Sequence, residues 1–221
     1  MIINLEHCFI FYHIPKCAGT TTRDRLMKYD SFNRYFYGYQ YNSVLEREVY
    51  KSHITHEELR TYSTYISDME HYYKFCFIRN PYTRVYSSWI QYKKHFLNGL
   101  TDNERKVVEN FDEFILKLLT KDKIEVDHHY THFKPVYSYI YDKNGNNIMD
   151  FIGKVENYEI DFENIAQTLN LNGIKKLTTN VSNPNLKIDN SNILNYYSRD
   201  SIDKINELYD LDFKIGNYSK Y

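Results

Sequence analysis

Near the start of the 221-residue chain stands Cys8-Phe9-Ile10-Phe11-Tyr12-His13-Ile14-Pro15-Lys16-Cys17-Ala18-Gly19-Thr20-Thr21-Thr22. The first half of this segment is apolar at successive positions, as in a parallel strand that is covered on both faces. Pro15 and Gly19 then predict a turn, and the three threonines predict the start of a helix. Hydroxyl groups and first-turn backbone N–H groups can bind one anion, to which Lys16 adds a positive charge. The segment therefore predicts a strand-loop-helix phosphate site.

An ordinary strand-to-helix turn with an incidental lysine explains the same segment equally well when it is taken alone. The nucleoside triphosphate pattern G-x-x-x-x-G-K-[ST] is absent, because Lys16 precedes Gly19 instead of following a glycine. This residue order argues against an ordinary ATP or GTP enzyme.

A second segment with the same plan reads Tyr72-Tyr73-Lys74-Phe75-Cys76-Phe77-Ile78-Arg79-Asn80-Pro81-Tyr82-Thr83-Arg84-Val85-Tyr86-Ser87-Ser88-Trp89. An apolar strand pattern is again followed by a helix, since Asn80 is a favourable N-cap and Pro81 a favourable first helical residue. Arg79 leaves the strand end, and Ser87 stands eight residues later. A guanidinium and a hydroxyl in this arrangement can grip a phosphate from two sides. The alternative is a capped helix preceded by an ordinary arginine.

Two histidines stand between these segments. Residues 49–54 form a short strand-like run that ends before Thr55-His56-Glu57-Glu58, a capping-box sequence that predicts a helix to about residue 62. His53 is thus placed at a strand end and His56 at the first position of a helix. Such edges are where a parallel α/β sheet places its chemistry. The alternative is that both are ordinary residues at a helix start.

The charge balance excludes a general nucleic-acid footprint. The chain has 28 Lys and Arg against 29 Asp and Glu, a formal net charge of −1. Any anion must therefore be bound by local groups, and no nucleic-acid partner is expected. A hydrophobic content of 42% is ample for a core, and the length predicts a single domain over residues 1–221.

The cysteines and the apolar runs indicate the compartment. Three cysteines without a C-x-x-C motif are typical of a reducing environment, and Cys8 and Cys76, inside apolar runs, are predicted to be core residues. The first fourteen residues lack a signal-peptide pattern, and no apolar run approaches the roughly 18 residues of a membrane span. A soluble cytoplasmic protein without a membrane span is the simplest interpretation.

The rest of the chain is predicted to be mostly helical. Helix starts are expected at Thr101-x-x-Glu104 and Asn110-x-x-Glu113, and helices over 21–29, 159–169 and 200–211. Residues 137–141 and 148–155 are expected to form a β-hairpin across Asn144-Gly145. The adjacent histidines of Asp127-His128-His129 lack a cysteine partner, so no metal site is expected.

The two phosphate segments, in this order, resemble the two phosphate-binding motifs of sulfotransferases of the family 2 type, which includes membrane-anchored carbohydrate sulfotransferases and soluble bacterial relatives. The likeness continues through 150–162 and 205–213, and the family's N-terminal membrane anchor is not expected in this chain. The resemblance implies an α/β fold: a three-layer, P-loop-like core with a short, mostly parallel sheet flanked by helices, plus helical additions. Its strands are expected near 8–13, 50–54, 73–79 and 148–154.

The resemblance also implies the donor, 3′-phosphoadenosine 5′-phosphosulfate (PAPS), which leaves as adenosine 3′,5′-bisphosphate. In that family the first loop binds the 5′-phosphosulfate end and the second motif binds the 3′-phosphate. The matching cofactor-binding residues here are Pro15, Lys16, Cys17, Ala18, Gly19, Thr20, Thr21, Thr22, Arg79 and Ser87.

For catalysis, the resemblance implies that Lys16 meets the charge that builds on the leaving phosphate. His53 resembles in position the histidine that the uronosyl 2-O-sulfotransferase branch has between the two motifs, and neutral imidazole is a suitable base near pH 7. His56 is the rival candidate for the base. No metal is required by this mechanism. The acceptor is expected to be a hydroxyl of a carbohydrate, either a glycan or a glycolipid.

Two other functions remain open from sequence. A nucleotide-dependent phosphotransferase also needs a strand-loop-helix phosphate site, together with Mg²⁺. A non-catalytic glycan-binding module would use the 24 tyrosines, whose rings can stack on sugars. The identity of the acceptor and the oligomeric state are not determined at this stage.

Overall fold

The structure is a computed structural model that describes residues 1–31, 38–42, 47–51, 53–55, 58–59, 69–97, 100–174 and 192–221. The chain divides into two compact units. The first comprises Met1–Ile78 and Val136–Leu177, and the second comprises Arg79–Pro135 and Thr178–Tyr221. A single sulfotransferase domain over the whole chain stays a prediction.

In chain order the strands are β1 (Ile2–Asn4), β2 (Phe9–Tyr12), β3 (Gly38–Asn42), β4 (Arg47–Lys51), β5 (Tyr73–Ile78) and β6 (Phe151–Lys154). The helices are α1 (Gly19–Leu26), α2 (Pro81–Phe96), α3 (Asp102–Glu109), α4 (Phe111–Glu113), α5 (Lys121–Val126), α6 (Tyr137–Ile140), α7 (Tyr158–Thr168), α8 (Arg199–Leu208) and α9 (Asp210–Gly216). A π-helical turn spans Phe114–Leu118, and 3₁₀ turns span Met27–Tyr29, Met69–His71, His128–Phe133, Val155–Asn157 and Ile193–Tyr196.

The main sheet of the first unit has the order β1-β2-β5-β6. Strand β2 pairs in parallel with β5, and β5 pairs in parallel with β6, whereas β1 is an antiparallel edge strand. All four residues of β2 are buried, as are the last five of β5, which explains their continuous apolar sequence. The predicted α/β fold with a short, mostly parallel sheet flanked by helices is confirmed.

Two predicted strand assignments are wrong. The strand near 50–54 is β4, which ends at Lys51 and pairs with β3 in a separate two-stranded antiparallel sheet, so that His53 lies beyond its end. The hairpin of 137–155 does not form, because Tyr137–Ile140 is helical and β6 pairs with the distant β5. Only the turn is right: Gly145 has φ 81° and one antiparallel bridge joins Tyr141 to Asn147.

The predicted helices are largely confirmed. Helix α1 begins two residues earlier than expected, α7 matches 159–169 within a residue, and the expected helix over 200–211 is divided into α8 and α9. Cys76 is buried as predicted, but Cys8 is exposed, because it lies in the turn before β2 with φ 48°. Within the described residues, no helix is both long and apolar enough to cross a bilayer.

The second unit is built on α2, whose start follows the predicted capping pattern. The side chain of Asn80 accepts a hydrogen bond from the backbone N–H of Tyr82 at 3.0 Å, and Pro81 is the first helical residue. Thr101 and Glu104 form a reciprocal capping box, and Asn110 caps α4. The buried core around α2 is rich in aromatic residues: Tyr82, Tyr86, Trp89, Tyr92, Phe111, Phe114, Tyr130, Phe133, Tyr197, Tyr209 and Phe213.

Candidate active site

The first phosphate segment forms the expected strand, loop and helix. Strand β2 ends at Tyr12, and α1 begins at Gly19. Within the loop, Lys16 and Ala18 adopt left-handed φ angles of 63° and 56°. Left-handed residues of this kind turn successive backbone N–H groups toward one side in anion-binding nests. Ala18 is the N-cap residue and makes no side-chain cap to α1. This geometry suits a loop whose backbone donors bind an anion.

Gly19 is required by a close approach of His13. A Cβ atom at Gly19 would lie 1.7 Å from Cδ2 of His13, well inside van der Waals contact. The His13 ring is also stacked near Phe11, with 6.2 Å between ring centroids. The imidazole of His13 therefore packs directly against the first residue of α1. His13 is part of the first phosphate segment, but its packing against Gly19 was not predicted from sequence, because the His13 ring contacts backbone atoms and not a side chain.

His53 is buried and is held by the phosphate loop. Its Nδ1 atom lies 2.9 Å from the carbonyl oxygen of His13, and its side chain is 8% exposed. A carbonyl oxygen can only accept, so Nδ1 is the protonated nitrogen and Nε2 is the basic one in neutral His53. The two imidazole rings also meet edge to face, with 4.6 Å between centroids. The structure thus brings His53 to the loop that contains Lys16.

The rival base candidate, His56, lies outside the described residues. The predicted capping box is confirmed at the two residues that flank this position in sequence, Thr55 and Glu58. The backbone N–H and the hydroxyl of Thr55 donate to the Glu58 carboxylate at 2.8 and 3.0 Å, and the Glu58 N–H donates to the Thr55 hydroxyl at 3.3 Å. The reciprocal capping pair that the sequence predicts, Thr55 with Glu58, is therefore present.

The three threonines of α1 have different surroundings. Thr22 is fully buried, and its hydroxyl donates to the carbonyl of Ala18 at 3.1 Å and lies 3.1 Å from the hydroxyl of Tyr158. Burial raises the pKa of Tyr158, although its hydrogen bond to Thr22 and the nearby Arg25 oppose that effect. Thr20 is exposed and Thr21 is half-buried, so these two are the threonines whose hydroxyls are accessible to solvent.

Helix α1 is held in place by α7. Both carboxylate oxygens of Glu159 lie 3.1 Å from the Arg25 guanidinium, which is also 3.8 Å above the ring of Phe162. An ion pair and a cation–π contact made by a mostly buried arginine side chain fix geometry better than a simple surface ion pair. The loop before α1 is therefore attached to a fixed helix. These anchoring residues were not predicted, because they are over 130 positions apart in sequence.

The side chains of the second phosphate segment differ in their burial. Arg79 is half-buried, and its Nε–H donates to the hydroxyl of Thr83 at 3.0 Å. Ser87, also half-buried, follows Thr83 by four residues and so lies on the same face of α2. Arg79 itself precedes the helix, which begins at Pro81, and its bond to Thr83 brings its side chain to this face.

Arg84, five residues after Arg79, has a structural role. Its guanidinium is almost fully buried and binds the carboxylate of Asp212 at 3.2 Å and the carbonyl of Lys134 at 3.0 Å. Ser88 is likewise buried, and its hydroxyl lies within 3.0 Å of the carbonyls of Arg84 and His132. These contacts assign Arg84 and Ser88 to the packing of the second unit.

The strands that precede the two phosphate segments, β2 and β5, are neighbours in the main sheet. Tyr12 at the end of β2 is the register partner of Cys76 in β5, and Ile78 at the end of β5 is the partner of Lys154. Since β2 and β5 are adjacent and parallel, their carboxyl ends lie at the same edge of the sheet. Both phosphate segments follow these ends, which is where α/β sheets bind ligands.

The cluster Asp127, His128 and His129 has ligand atoms within 4.8 Å of one another. The Nδ1 atom of His129 is 3.0 Å from the Asp127 carboxylate, and that of His128 is 3.9 Å away. The same carboxylate oxygen accepts the backbone N–H of His129 at 2.9 Å. Asp127 therefore acts as the N-cap of this 3₁₀ turn, and we assign no metal to the cluster.

Comparison with known proteins identifies the family. The model of the sulfotransferase family matches residues 1–219. Carbohydrate sulfotransferase 11 of Mus musculus is 22% identical over 244 aligned positions, which cover 99% of this chain and 67% of that protein. Carbohydrate sulfotransferase 11 of Rattus norvegicus is 21% identical with the same coverage. No solved structure matches significantly. The chain, whose main sheet is mostly parallel, belongs to the sulfotransferase family.

Proposed function

We propose that this enzyme transfers the sulfuryl group of PAPS to a hydroxyl group of a carbohydrate, either a glycan or a glycolipid. One observation carries the proposal: both phosphate segments follow the carboxyl ends of adjacent parallel strands in a chain of the sulfotransferase family. The names of the two relatives support a carbohydrate acceptor. The near-zero net charge gives no support for a nucleic-acid partner.

The donor groups of the first loop fit the 5′-phosphosulfate. The proposed binding residues are Pro15 to Thr22, with the accessible hydroxyls of Thr20 and Thr21 and the first-turn N–H groups of α1 as hydrogen-bond donors. In the second segment, the guanidinium of Arg79 and the hydroxyl of Ser87 fit the 3′-phosphate, which a planar guanidinium can bind with two parallel hydrogen bonds. No metal is needed for either group.

Transfer breaks the bond from sulfur to the bridging phosphate oxygen and forms a bond from sulfur to the acceptor oxygen. Negative charge builds on the leaving phosphate, and Lys16 stabilises that charge. The acceptor hydroxyl loses its proton to Nε2 of His53, which becomes an imidazolium. The His13 carbonyl, 2.9 Å from Nδ1, keeps the proton of the neutral ring on Nδ1, so that Nε2 is the basic nitrogen, and it continues to accept from the charged ring. The products are the sulfated carbohydrate and adenosine 3′,5′-bisphosphate.

A nucleotide titration tests the donor assignment against the two other functions. The purified protein is titrated with adenosine 3′,5′-bisphosphate, with ATP plus Mg²⁺, and with neutral oligosaccharides. We expect binding of the bisphosphate and much weaker binding of ATP, because only the bisphosphate presents a 3′-phosphate to Arg79 and Ser87. Preferential binding of ATP with Mg²⁺ would instead support a phosphotransferase. Binding of oligosaccharides alone would support a glycan-binding module.

A further inference from the structure

The side chain of Arg79 is held at one atom by a buried hydroxyl. Its Nε–H donates to Oγ1 of Thr83 at 3.0 Å, and Thr83 is only 2% exposed. The Thr83 hydroxyl in turn donates to the carbonyl of Asn80, also at 3.0 Å. That second bond fixes the direction of the first, because the hydroxyl hydrogen is used on Asn80 and the hydroxyl oxygen accepts from Arg79.

This bond determines the orientation of a planar group. A guanidinium has one Nε–H and two terminal nitrogens in a rigid fork, so a fixed Nε–H limits rotation of the whole plane. Thr83 and Ser87 are four residues apart within α2, which places them on one face of that helix, whereas Arg79 directly precedes the N-cap residue Asn80. The bond to Thr83 therefore holds the guanidinium one turn before Ser87 on that face.

Arg84, which lies in α2, can be compared with Arg79, which directly precedes the N-cap residue of that helix. Arg84 is 1% exposed, and its terminal nitrogens bind Asp212 and Lys134. Its charge is neutralised inside the second unit. Arg79 is half-buried, and its Nε–H donates to the neutral hydroxyl of Thr83. Of these two arginines, Arg79 is the more exposed to solvent.

We propose that Thr83 is a positioning residue for the 3′-phosphate of the nucleotide: it orients the Arg79 guanidinium before the nucleotide binds. The inference rests on the proposed function of the second segment. A flexible arginine loses rotamer freedom when it grips a phosphate, and a side chain that is already held loses less. Thr83 acts only through Arg79 and does not itself contact the nucleotide.

The test compares two nucleotides that differ only in the 3′-phosphate: adenosine 3′,5′-bisphosphate and adenosine 5′-monophosphate. Thr83→Val keeps the shape of the side chain but removes the hydroxyl. We expect it to weaken bisphosphate binding about three- to tenfold, the range for one net hydrogen bond. Binding of the monophosphate should not change. Thr83→Ser retains the hydroxyl and should bind the bisphosphate like the wild type.

Ser88→Ala is the matched control, because it removes another buried hydroxyl of α2 that binds only backbone carbonyls. It should leave the affinities for both nucleotides unchanged. Thermal unfolding verifies that each variant is folded, and Thr83→Ala is measured beside Thr83→Val as a second variant that removes the hydroxyl. In an Arg79→Ala background, Thr83→Val should have no further effect on the discrimination between the nucleotides.

The outcomes separate the two claims. If Arg79→Ala weakens bisphosphate binding but the valine and alanine variants at Thr83 do not, the positioning role is overturned and the proposed function stands. Equal weakening for both nucleotides, or failure of Thr83→Ser to restore binding, assigns Thr83 a merely structural role and also overturns the inference. If Arg79→Ala leaves the discrimination unchanged, the assignment of the second segment itself fails.

Discussion

His53 illustrates how a backbone contact prepares a side chain for chemistry. Its Nδ1 atom donates to the His13 carbonyl at 2.9 Å, which fixes the tautomer in which Nε2 is the basic nitrogen. The ring is buried and packs edge to face against the His13 ring. Both contacts come from the loop that leads to Lys16, so the proposed base is positioned by the same loop that we propose to bind the donor.

Replacement of His53 tests its role as the base. We expect His53→Ala to lower turnover by on the order of 10²–10⁴, the usual effect of removing a general base. Affinity for adenosine 3′,5′-bisphosphate should change little, because His53 is not among the proposed nucleotide-binding residues. The wild-type rate should fall as His53 becomes protonated, because an imidazolium cannot accept the proton of the acceptor hydroxyl. Steady-state rates between pH 5 and pH 9 and nucleotide titrations provide both readouts.

His56→Ala is the control for this experiment. We expect it to retain most of the activity, since the base is assigned to His53. Loss of activity in His56→Ala together with retained activity in His53→Ala would transfer the role to His56. If both variants remain active, the proton goes to another group, with His132 and Glu57 as the next residues to replace.

Gly19 is predicted to tolerate no side chain while His13 is present. In Gly19→Ala the new methyl group would overlap the His13 ring, which must then move away from the start of α1 and from His53. We expect turnover to fall by about tenfold or more, because displacements of about 1 Å at a reacting group have effects of this size. The double variant His13→Ala, Gly19→Ala should lose less than the sum of the two single effects. Strict additivity in the logarithm of turnover would show that the close contact has no consequence.

At the scale of elements, the caps were predictable because they are local. Asn80 with Pro81, Thr55 with Glu58, and Thr101 with Glu104 are encoded within four residues, and each forms as predicted. The pairing of β6 was not predictable in this way. Residues 148–155 have an apolar pattern that fits a hairpin beside the Asn144-Gly145 turn, but the actual partner, β5, lies more than 70 residues upstream. Local propensity does not select between two partners for the same strand.

Asp112 joins α4 to α8, and its substitution tests that link. The Asp112 carboxylate accepts from the Ser198 N–H at 2.9 Å and from the Ser201 hydroxyl at 2.5 Å. Burial alone would raise the pKa of Asp112, but the hydrogen bonds from Ser198 and Ser201 lower it overall. The resulting stabilisation is present above the unfolded-chain pKa of about 3.9 and is lost as the pH falls through the lower folded pKa. We expect Asp112→Asn to reduce the free energy of unfolding by about 1 kcal/mol at pH 7.

Denaturant unfolding of Asp112→Asn and the wild type between pH 7 and pH 3 measures this contribution. The difference between the two proteins should narrow toward the acid end, because the wild type then loses the charged hydrogen bonds. Asp24→Asn is the control, since Asp24 forms an exposed ion pair with Arg23 that contributes little. A difference that stays constant over the whole pH range would show that the charge of Asp112 is not involved.

At the scale of the whole molecule, the two phosphate segments were predictable from sequence, but most of the hydrogen bonds and ion pairs that hold them in place were not. The loop of Lys16 and the helix after Arg79 are each encoded in a continuous run of sequence. These contacts come from residues that are distant in sequence. His53 binds a carbonyl 40 residues away, Arg25 binds Glu159, 134 residues away, and Arg84 binds Asp212, 128 residues away. Such pairs form only when the sheet and helices bring the segments together, so a single sequence does not specify them.

The charge of the whole chain supports the same account. A net charge of −1 produces no long-range attraction for an anionic donor, so we propose that affinity for PAPS comes from the local groups of the two segments. Loss of a single local cation should therefore have a large effect. Lys16→Ala is the variant that isolates this effect at the reacting phosphosulfate.

The most direct test of the account is sulfuryl transfer itself. The protein is incubated with sulfur-labelled PAPS and a panel of glycan and glycolipid acceptors in the presence of EDTA, and labelled carbohydrate and adenosine 3′,5′-bisphosphate are measured together. We expect the two products in equal amounts with at least one acceptor, and a strong loss of both in Lys16→Ala and His53→Ala. Absence of label in every acceptor, from a protein that binds the bisphosphate no better than ATP, would contradict the account.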